Sequence, residues 1–386
     1  MSKKIVILVL HLGTGGAERM VCNLANMLAK DNYVKIISTY KLNDRPAFDI
    51  DNRIEIEYLS ENLKPNKQEL KYALKKRNIL LICKELFKSL RILWLRKSLM
   101  IKAIKNLDCD IVISTRILHT NWLGKYANKN IIKIAQEHNH HNNNSKYIKK
   151  VIKSLDNIDY FMPVSKELCD FYSSKLNKTK VKYIPNFIEK VPTKKSPLQN
   201  KQLISVGRLD KVKGFDVLID IFYIFQKDHP DWVLHIVGDG AEKQNLQDKI
   251  NKLNLNHKVI LCGNKLSTEL ENEYINSSLF LMTSFSESFG LVLVEAASYG
   301  LPLIAFDTAQ GAKEIIEENK NGFLIPNRDK QKFVSKINEI ISDYAKMQFF
   351  SLNASNTANR FSQEAVYKEW NNFIKNISKE KDIEQN

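Results

Sequence analysis

No stretch of the 386-residue chain approaches 18 consecutive apolar residues, which excludes a membrane-spanning helix from the sequence. Cysteine is scarce and scattered: Cys22, Cys83, Cys109, Cys169 and Cys262 are odd in number and include no C-x-x-C pair. That argues against both a disulfide framework and a structural zinc site and predicts a reducing, cytosolic setting. The dinucleotide fingerprint G-x-G-x-x-G is missing as well. Its third glycine would stand at position 18, where the chain has Glu18, and this disfavours a nicotinamide-dependent dehydrogenase. Acidic residues are in the minority, 43 against 59 Lys and Arg. The formal charge of +16 calls for an anionic partner: nucleic acid, a membrane surface or a phosphorylated substrate. Aromatic residues are not interleaved with Lys and Arg in a recognisable RNA-binding pattern, so nucleic acid is not expected.

What the chain does have is alternation. Its 44% hydrophobic content is that of a globular protein, and its length predicts two domains. The opening "MSKKIVILVLHLGTGGAE" holds an apolar run of about eight residues, short for a signal peptide, followed by a glycine turn. It reads as a first buried strand. Two strand–turn–helix openings share this style, at 4–30 and 201–225. Short unbroken apolar strands precede helical stretches at 110–115, 131–136, 160–165, 232–240, 258–263, 277–284 and 301–306. Strands of this kind belong to parallel sheets covered on both faces. The expected architecture is α/β, with two Rossmann-like domains facing across a cleft. Residues 1–187 form the first domain, 188–202 a polar linker and 203–361 the second. The amphipathic stretch 362–380 reads as a helix in a tail, 362–386, that crosses back to the first domain.

Segment 61–105 stands apart, with 13 Lys and Arg against 3 Asp and Glu, a net +10. Leu80, Leu81, Leu86, Phe87, Leu90, Leu93 and Trp94 recur there at helical spacing. Such a basic amphipathic helix suits an anionic membrane surface. An ordinary surface helix packed on the sheet is the competing expectation.

Several loops read as anion sites. Gly13, Gly15 and Gly16 lie between the first strand and the first helix, where free backbone N–H groups and small residues suit phosphate. "GRLDKVKGF" (207–215) places Arg208 and Lys213, flanked by Gly207 and Gly214, where two cations could hold a diphosphate. "SFSESFGLVLVEAASYG" (284–300) puts Glu287 in a loop and Glu295 about a turn and a half inside the helix that follows. The amides of Phe289, Gly290 and Leu291 lie between these two carboxylates. Carboxylates accept hydrogen bonds from vicinal hydroxyls and amides take phosphates, which together suit a sugar nucleotide. "DCD" (108–110) resembles a metal-binding Asp-x-Asp, but it precedes its strand and so belongs at the sheet edge away from such loops. His138, His140 and His141 lack a matching Cys or acidic set, and the last two are expected in a solvent-facing loop.

The run "ESFGLVLVE" resembles the E-x7-E signature of retaining GT-B glycosyltransferases, family 4 in particular. "GTGGAER", "EHNHH", "VSKEL", "IPNFIE", "GRLDKVKG", "GDGAEKQNL", "GLPLIAFDTAQGAKEII" and "NGFLIP" agree with that family in order and spacing. The similarity covers nearly the whole chain and is weakest across 41–105. It implies that Glu287 contacts the donor sugar and Glu295 the ribose. Arg208 and Lys213 would bind the diphosphate, helped by Gly207, Gly290 and, from the other domain, Gly16. His138 would lie near the transferred sugar. The resemblance further implies a hexosyltransferase needing neither metal nor cofactor, a nucleotide-sugar donor (UDP-sugar foremost) and a lipid-linked or polymeric glycan acceptor. Bacterial surface polysaccharide or teichoic-acid synthesis, at the inner face of the cell membrane, is the setting it suggests. A sugar-nucleotide epimerase or soluble sugar synthase of the same fold is the alternative.

Overall fold

The computed structural model describes residues 2–61 and 63–385; Met1, Asn62 and Asn386 lie outside them. The chain divides into two compact units, 1–183 and 184–386. The first is built on a seven-stranded sheet: β1 (Lys4–Val9), β2 (Tyr33–Ser38), β3 (Glu55–Tyr58), β4 (Ile111–Ser114), β5 (Ile132–Glu137), β6 (Tyr160–Pro163) and β7 (Lys180–Val181). Their order is β3-β2-β1-β4-β5-β6-β7, and every neighbouring pair is parallel. The second unit carries β8 (Gln202–Val206), β9 (Val233–Val237), β10 (Val259–Gly263), β11 (Leu279–Met282), β12 (Leu303–Phe306) and β13 (Gly322–Ile325). Their order is β10-β9-β8-β11-β12-β13, again all parallel.

The apolar runs explain these sheets. In β4, β11 and β12 every residue is buried, because helices cover both faces of a parallel sheet and leave no polar side to alternate with. Phe222, Phe225, Phe280, Phe306, Phe323 and Phe333 are fully buried in the second unit. In the first, the core gathers Leu8, Val112, Leu123, Phe161 and Tyr172 with Met100 and Ile104 from the end of a long helix. The strands at 33–38, 55–58, 180–181 and 322–325 are additional to those expected from the sequence. They are short or interrupted by Lys and Glu, as suits strands toward a sheet edge.

In each sheet the chain order reverses once, at β1/β4 in the first unit and at β8/β11 in the second. The loops leaving the carboxyl ends of the two central strands diverge there and open a crevice, the usual ligand position in open parallel α/β sheets. The residues singled out above can be located against these two points.

The stretch 188–202 is ordered against the second unit. Leu198 is buried, the Ser196 hydroxyl donates to the Ser277 carbonyl at 2.5 Å, and Ile188 N donates to the Phe361 carbonyl at 2.9 Å. The tail is the helix Gln363–Gln385, with Val366, Trp370 and Phe373 buried, and it belongs to the second unit. Segment 61–105 forms two helices, Lys67–Lys75 and Ile79–Lys105. Among the described residues no helix is long and apolar enough to cross a membrane.

Candidate active site

At the β8/β11 switch the two predicted loops lie side by side. The first leaves β8 at Gly207, turns through a 3-10 segment at Lys211–Lys213 and enters the helix Phe215–Phe225 at Gly214. Gly214 has φ +65°, and a Cβ there would sit 2.4 Å from the Thr283 carbonyl oxygen of the second loop. Only glycine satisfies both the left-handed backbone and that approach. The Thr283 hydroxyl donates to the Gly214 carbonyl at 2.9 Å, and Phe285 N to the Val212 carbonyl at 2.8 Å. These bonds fix the register of one loop against the other.

The result is a direct contact between Lys213 Nζ and Glu287 Oε2, each side chain about four-fifths buried. Asp210 organises the cations' loop. Its Oδ2 accepts from Arg208 Nε at 2.7 Å while its Oδ1 faces the Lys213 amide at 3.3 Å. Arg208 is the more exposed cation, with 74% of its side chain accessible. Glu287 is held from behind as well, since its carbonyl accepts from Gly311 N at 2.9 Å.

Gly290, at φ +95°, caps the helix Leu291–Ser298, whose first-turn N–H groups have no preceding turn to bond, although Leu293 N donates to the Gly290 carbonyl at 2.8 Å. Phe289 is buried against Phe361, so only its main chain is available to a ligand. Glu295 is partly buried in the second turn and accepts from the Tyr274 hydroxyl at 3.3 Å. Sequence reasoning missed Arg328. Its guanidinium donates to the carbonyls of Thr283 (2.8 Å) and Ser284 (3.1 Å) and lies 3.8 Å from the Phe285 ring centroid. It pins the Glu287 loop from beneath. The run "NGFLIP" ends two residues short of it, so the motif carries no signal for this side chain.

At the β1/β4 switch of the first unit, Gly16 opens the helix Gly16–Leu28, and a Cβ there would meet nothing within 4 Å. The turn therefore faces open space. Glu18, the residue that breaks the dinucleotide pattern, is buried and pairs with the Arg116 guanidinium from the loop after β4. His138 follows β5; its Nε2 is buried without a hydrogen-bond partner among the described residues. Burial, reinforced by Arg116, draws its imidazole down to about 4, so it is neutral at pH 7. Burial draws the fully buried His119 down further, to about 3.

A cavity of 220 Å³ opens beside these groups, lined by Arg96, Arg116, His119, Glu137, Asn139 and Tyr147. Burial raises the Glu137 carboxyl, although Asn139 donates to it twice at 2.9 Å and works the other way. Neither Arg116 nor Glu137 was singled out in the sequence, though both stand directly at strand ends. A larger cavity, 740 Å³, lies at the opposite end of β1–β3 near Lys4, Tyr33 and Glu55, away from the switch.

Two expectations about the flanking motifs are decided here. Asp108 and Asp110 hold Lys4 at the amino edge of the sheet, with Asp108 2.7 Å from its Nζ and Asp110 2.8 Å from its backbone N. The solvent-facing loop expected for His140 and His141 needs correction. His141 is buried, its ring tilted at 46° against Phe171 with centroids 4.4 Å apart, because the loop folds back onto the helix Lys166–Ser173.

With this geometry, comparison with known proteins is informative. Residues 186–360 match the family model for glycosyl transferases group 1. This group 1 segment falls inside the second unit and contains Arg208, Lys213, Glu287, Gly290, Glu295 and Arg328. An uncharacterized glycosyltransferase of Haemophilus influenzae is 28% identical, over 96% of this chain and 100% of its own length. The amylovoran biosynthesis glycosyltransferase AmsD of Erwinia amylovora is 27% identical, over 96% and 99%. The solved structure of the pneumococcal O-GlcNAc transferase GtfA in complex with UDP and GlcNAc superposes with a TM-score of 0.72 at 16% identity, covering 98% of this chain and 99% of that one. Likeness over both units establishes the GT-B fold for the chain that carries the group 1 segment.

Proposed function

We propose that the protein is a retaining, family 4 glycosyltransferase that moves a hexose from a UDP-sugar to a lipid-linked or polymeric glycan of the bacterial surface. The observation that carries this reading is the Lys213–Glu287 contact at the β8/β11 switch, beside the N-terminus of the helix Leu291–Ser298. In this contact the ammonium and the carboxylate neutralise each other. An arriving pyrophosphate takes Lys213 and Arg208, and Glu287 is released to accept hydrogen bonds from sugar hydroxyls. Glu295, one turn inside the helix and steadied by Tyr274, accepts from the ribose. The cations and the amides of Gly290 and Leu291 supply the charge stabilisation that a metal provides elsewhere, so no metal or other cofactor is invoked.

As the anomeric C–O bond breaks, its electron pair goes to the diphosphate. The acceptor hydroxyl oxygen bonds to the anomeric carbon from the vacated face and passes its proton to the departing phosphate oxygen. Neutral His138 and the Arg96/Arg116 cavity are assigned to the acceptor side. The UDP bound by the O-GlcNAc transferase GtfA supports a uridine donor, and the AmsD likeness supports a surface polysaccharide as product.

The setting proposed is the inner face of the cell membrane, engaged through the helix Ile79–Lys105. Leu80, Phe87, Leu90 and Trp94 are 84, 73, 65 and 66% exposed and fall on one stripe, with Lys84, Lys88 and Arg91 alongside. Each such side chain gains roughly 1.5–3 kcal/mol when fully removed from water, and the cations favour anionic lipid.

The deciding experiment is nucleotide release from a panel of nucleotide sugars. Glu287→Gln should cut turnover at least about a hundredfold while UDP affinity changes only a few-fold. Glu295→Ala should mainly weaken UDP, by about tenfold. Full turnover in Glu287→Gln would discard the assignment.

A further inference from the structure

Away from the switch loops, three side chains from three elements of the second unit converge. His235 lies mid-way along β9, Cys262 on β10 and Glu273 on the helix Ser267–Ile275. Their ligand-capable atoms lie within 4.8 Å of one another, and His235 Nδ1 is 2.8 Å from Glu273 Oε2. All three residues are partly buried, which leaves a route of entry.

The backbone helps to assemble them. β9 and β10 pair regularly through His235↔Ile260 and Ile236↔Leu261, then resume at Val237↔Gly263. Cys262 is the extra residue of this bulge, a feature that bends a strand and re-aims a side chain. β10 is also an edge strand, and Glu273 reaches it from a helix.

We propose that His235, Cys262 and Glu273 form a binding site for a divalent cation of the zinc class, with water as the fourth ligand. An imidazole, a thiolate and a carboxylate match the ligand preferences of zinc and not those of magnesium or calcium, which take oxygen. Bond lengths of about 2.0–2.3 Å place tetrahedral ligand atoms roughly 3.2–3.8 Å apart. The observed cluster needs His235 and Glu273 to part slightly and the longer separations to shorten by about an ångström, which side-chain rotation supplies. None of the three residues belongs to the proposed transfer machinery, so this site stands or falls independently of it. The cation would tie the open edge of the sheet to the helix that carries Tyr274, the partner of Glu295.

The test is titration of metal-stripped, full-length protein with Co²⁺, followed by its displacement with Zn²⁺. One equivalent should produce a sulfur-to-cobalt charge-transfer band in the near ultraviolet together with tetrahedral d–d bands. Cys262→Ser should abolish the charge-transfer band, and Glu273→Gln should weaken Zn²⁺ binding at least about tenfold. Cys83→Ser, at an exposed thiol on the first unit, should change neither. Absence of a sulfur band at one equivalent overturns the proposal, as does a band that survives in Cys262→Ser or vanishes in Cys83→Ser. Should Cys262→Ser lose its far-ultraviolet dichroism, His235→Gln and Glu273→Gln decide the matter through the d–d bands, which must weaken in both.

Discussion

Glu287 and Lys213 show how a single contact sets the character of a site. Each side chain is about four-fifths buried, and hydrogen bonds between the two loops hold the pair firmly together. The firmness comes from a glycine. At Gly214, alanine would have to adopt a left-handed backbone and clear the Thr283 carbonyl, 2.4 Å from its Cβ. Gly214→Ala should therefore lower stability by roughly 2–4 kcal/mol, read by urea denaturation. It should also impair turnover by spreading the loops. Arg328 is the opposite kind of residue, exerting its effect through three backbone and ring contacts that no spacing rule announces.

Among the elements, the long helix Ile79–Lys105 differs most from its neighbours. Its C-terminal end, through Met100 and Ile104, is buried in the core, whereas its first four turns keep an apolar stripe in solvent. Replacing Phe87 and Trp94 together with Glu should abolish cosedimentation with phosphatidylglycerol vesicles and leave the fold intact. Wild-type binding should weaken as salt rises, because the lysines and arginines beside the stripe are screened.

Strands β1, β4, β5, β6 and β8–β12 were legible because burial leaves an unbroken Val/Ile/Leu run, whereas β2, interrupted by Lys35, and the four-residue β13 were not. Glu287, Lys213 and Gly290 were legible because glycine and charge follow such runs directly. The edge strands β3 and β7 escaped because half-exposed segments carry no such run. The Arg116–Glu18 and Arg328 contacts escaped because they join residues 98 and about 44 positions apart, a separation only the folded chain closes.

At the scale of the whole molecule, the buried histidines set the response to acid. His119 and His138 have imidazoles drawn well below 6.5, so the unfolded chain takes up protons first. Their contribution is constant above pH 6.5, and stability falls as the pH drops from there toward 4. Glu137, raised by burial, offsets part of this below its own titration point. Unfolding free energies from urea denaturation should decline from pH 7.0 through 5.5 to 4.5 by on the order of 2–5 kcal/mol in all, and His119→Gln should flatten the decline.

The division at residue 183 carries a consequence for diversification. Every group assigned to the donor is anchored in one half with a phenylalanine-rich interior of its own, apart from the glycine turn at 13–16. On the proposed function, the other half is free to drift, or be replaced by a relative's, to accept new glycans while the residues proposed to activate the sugar stay unchanged.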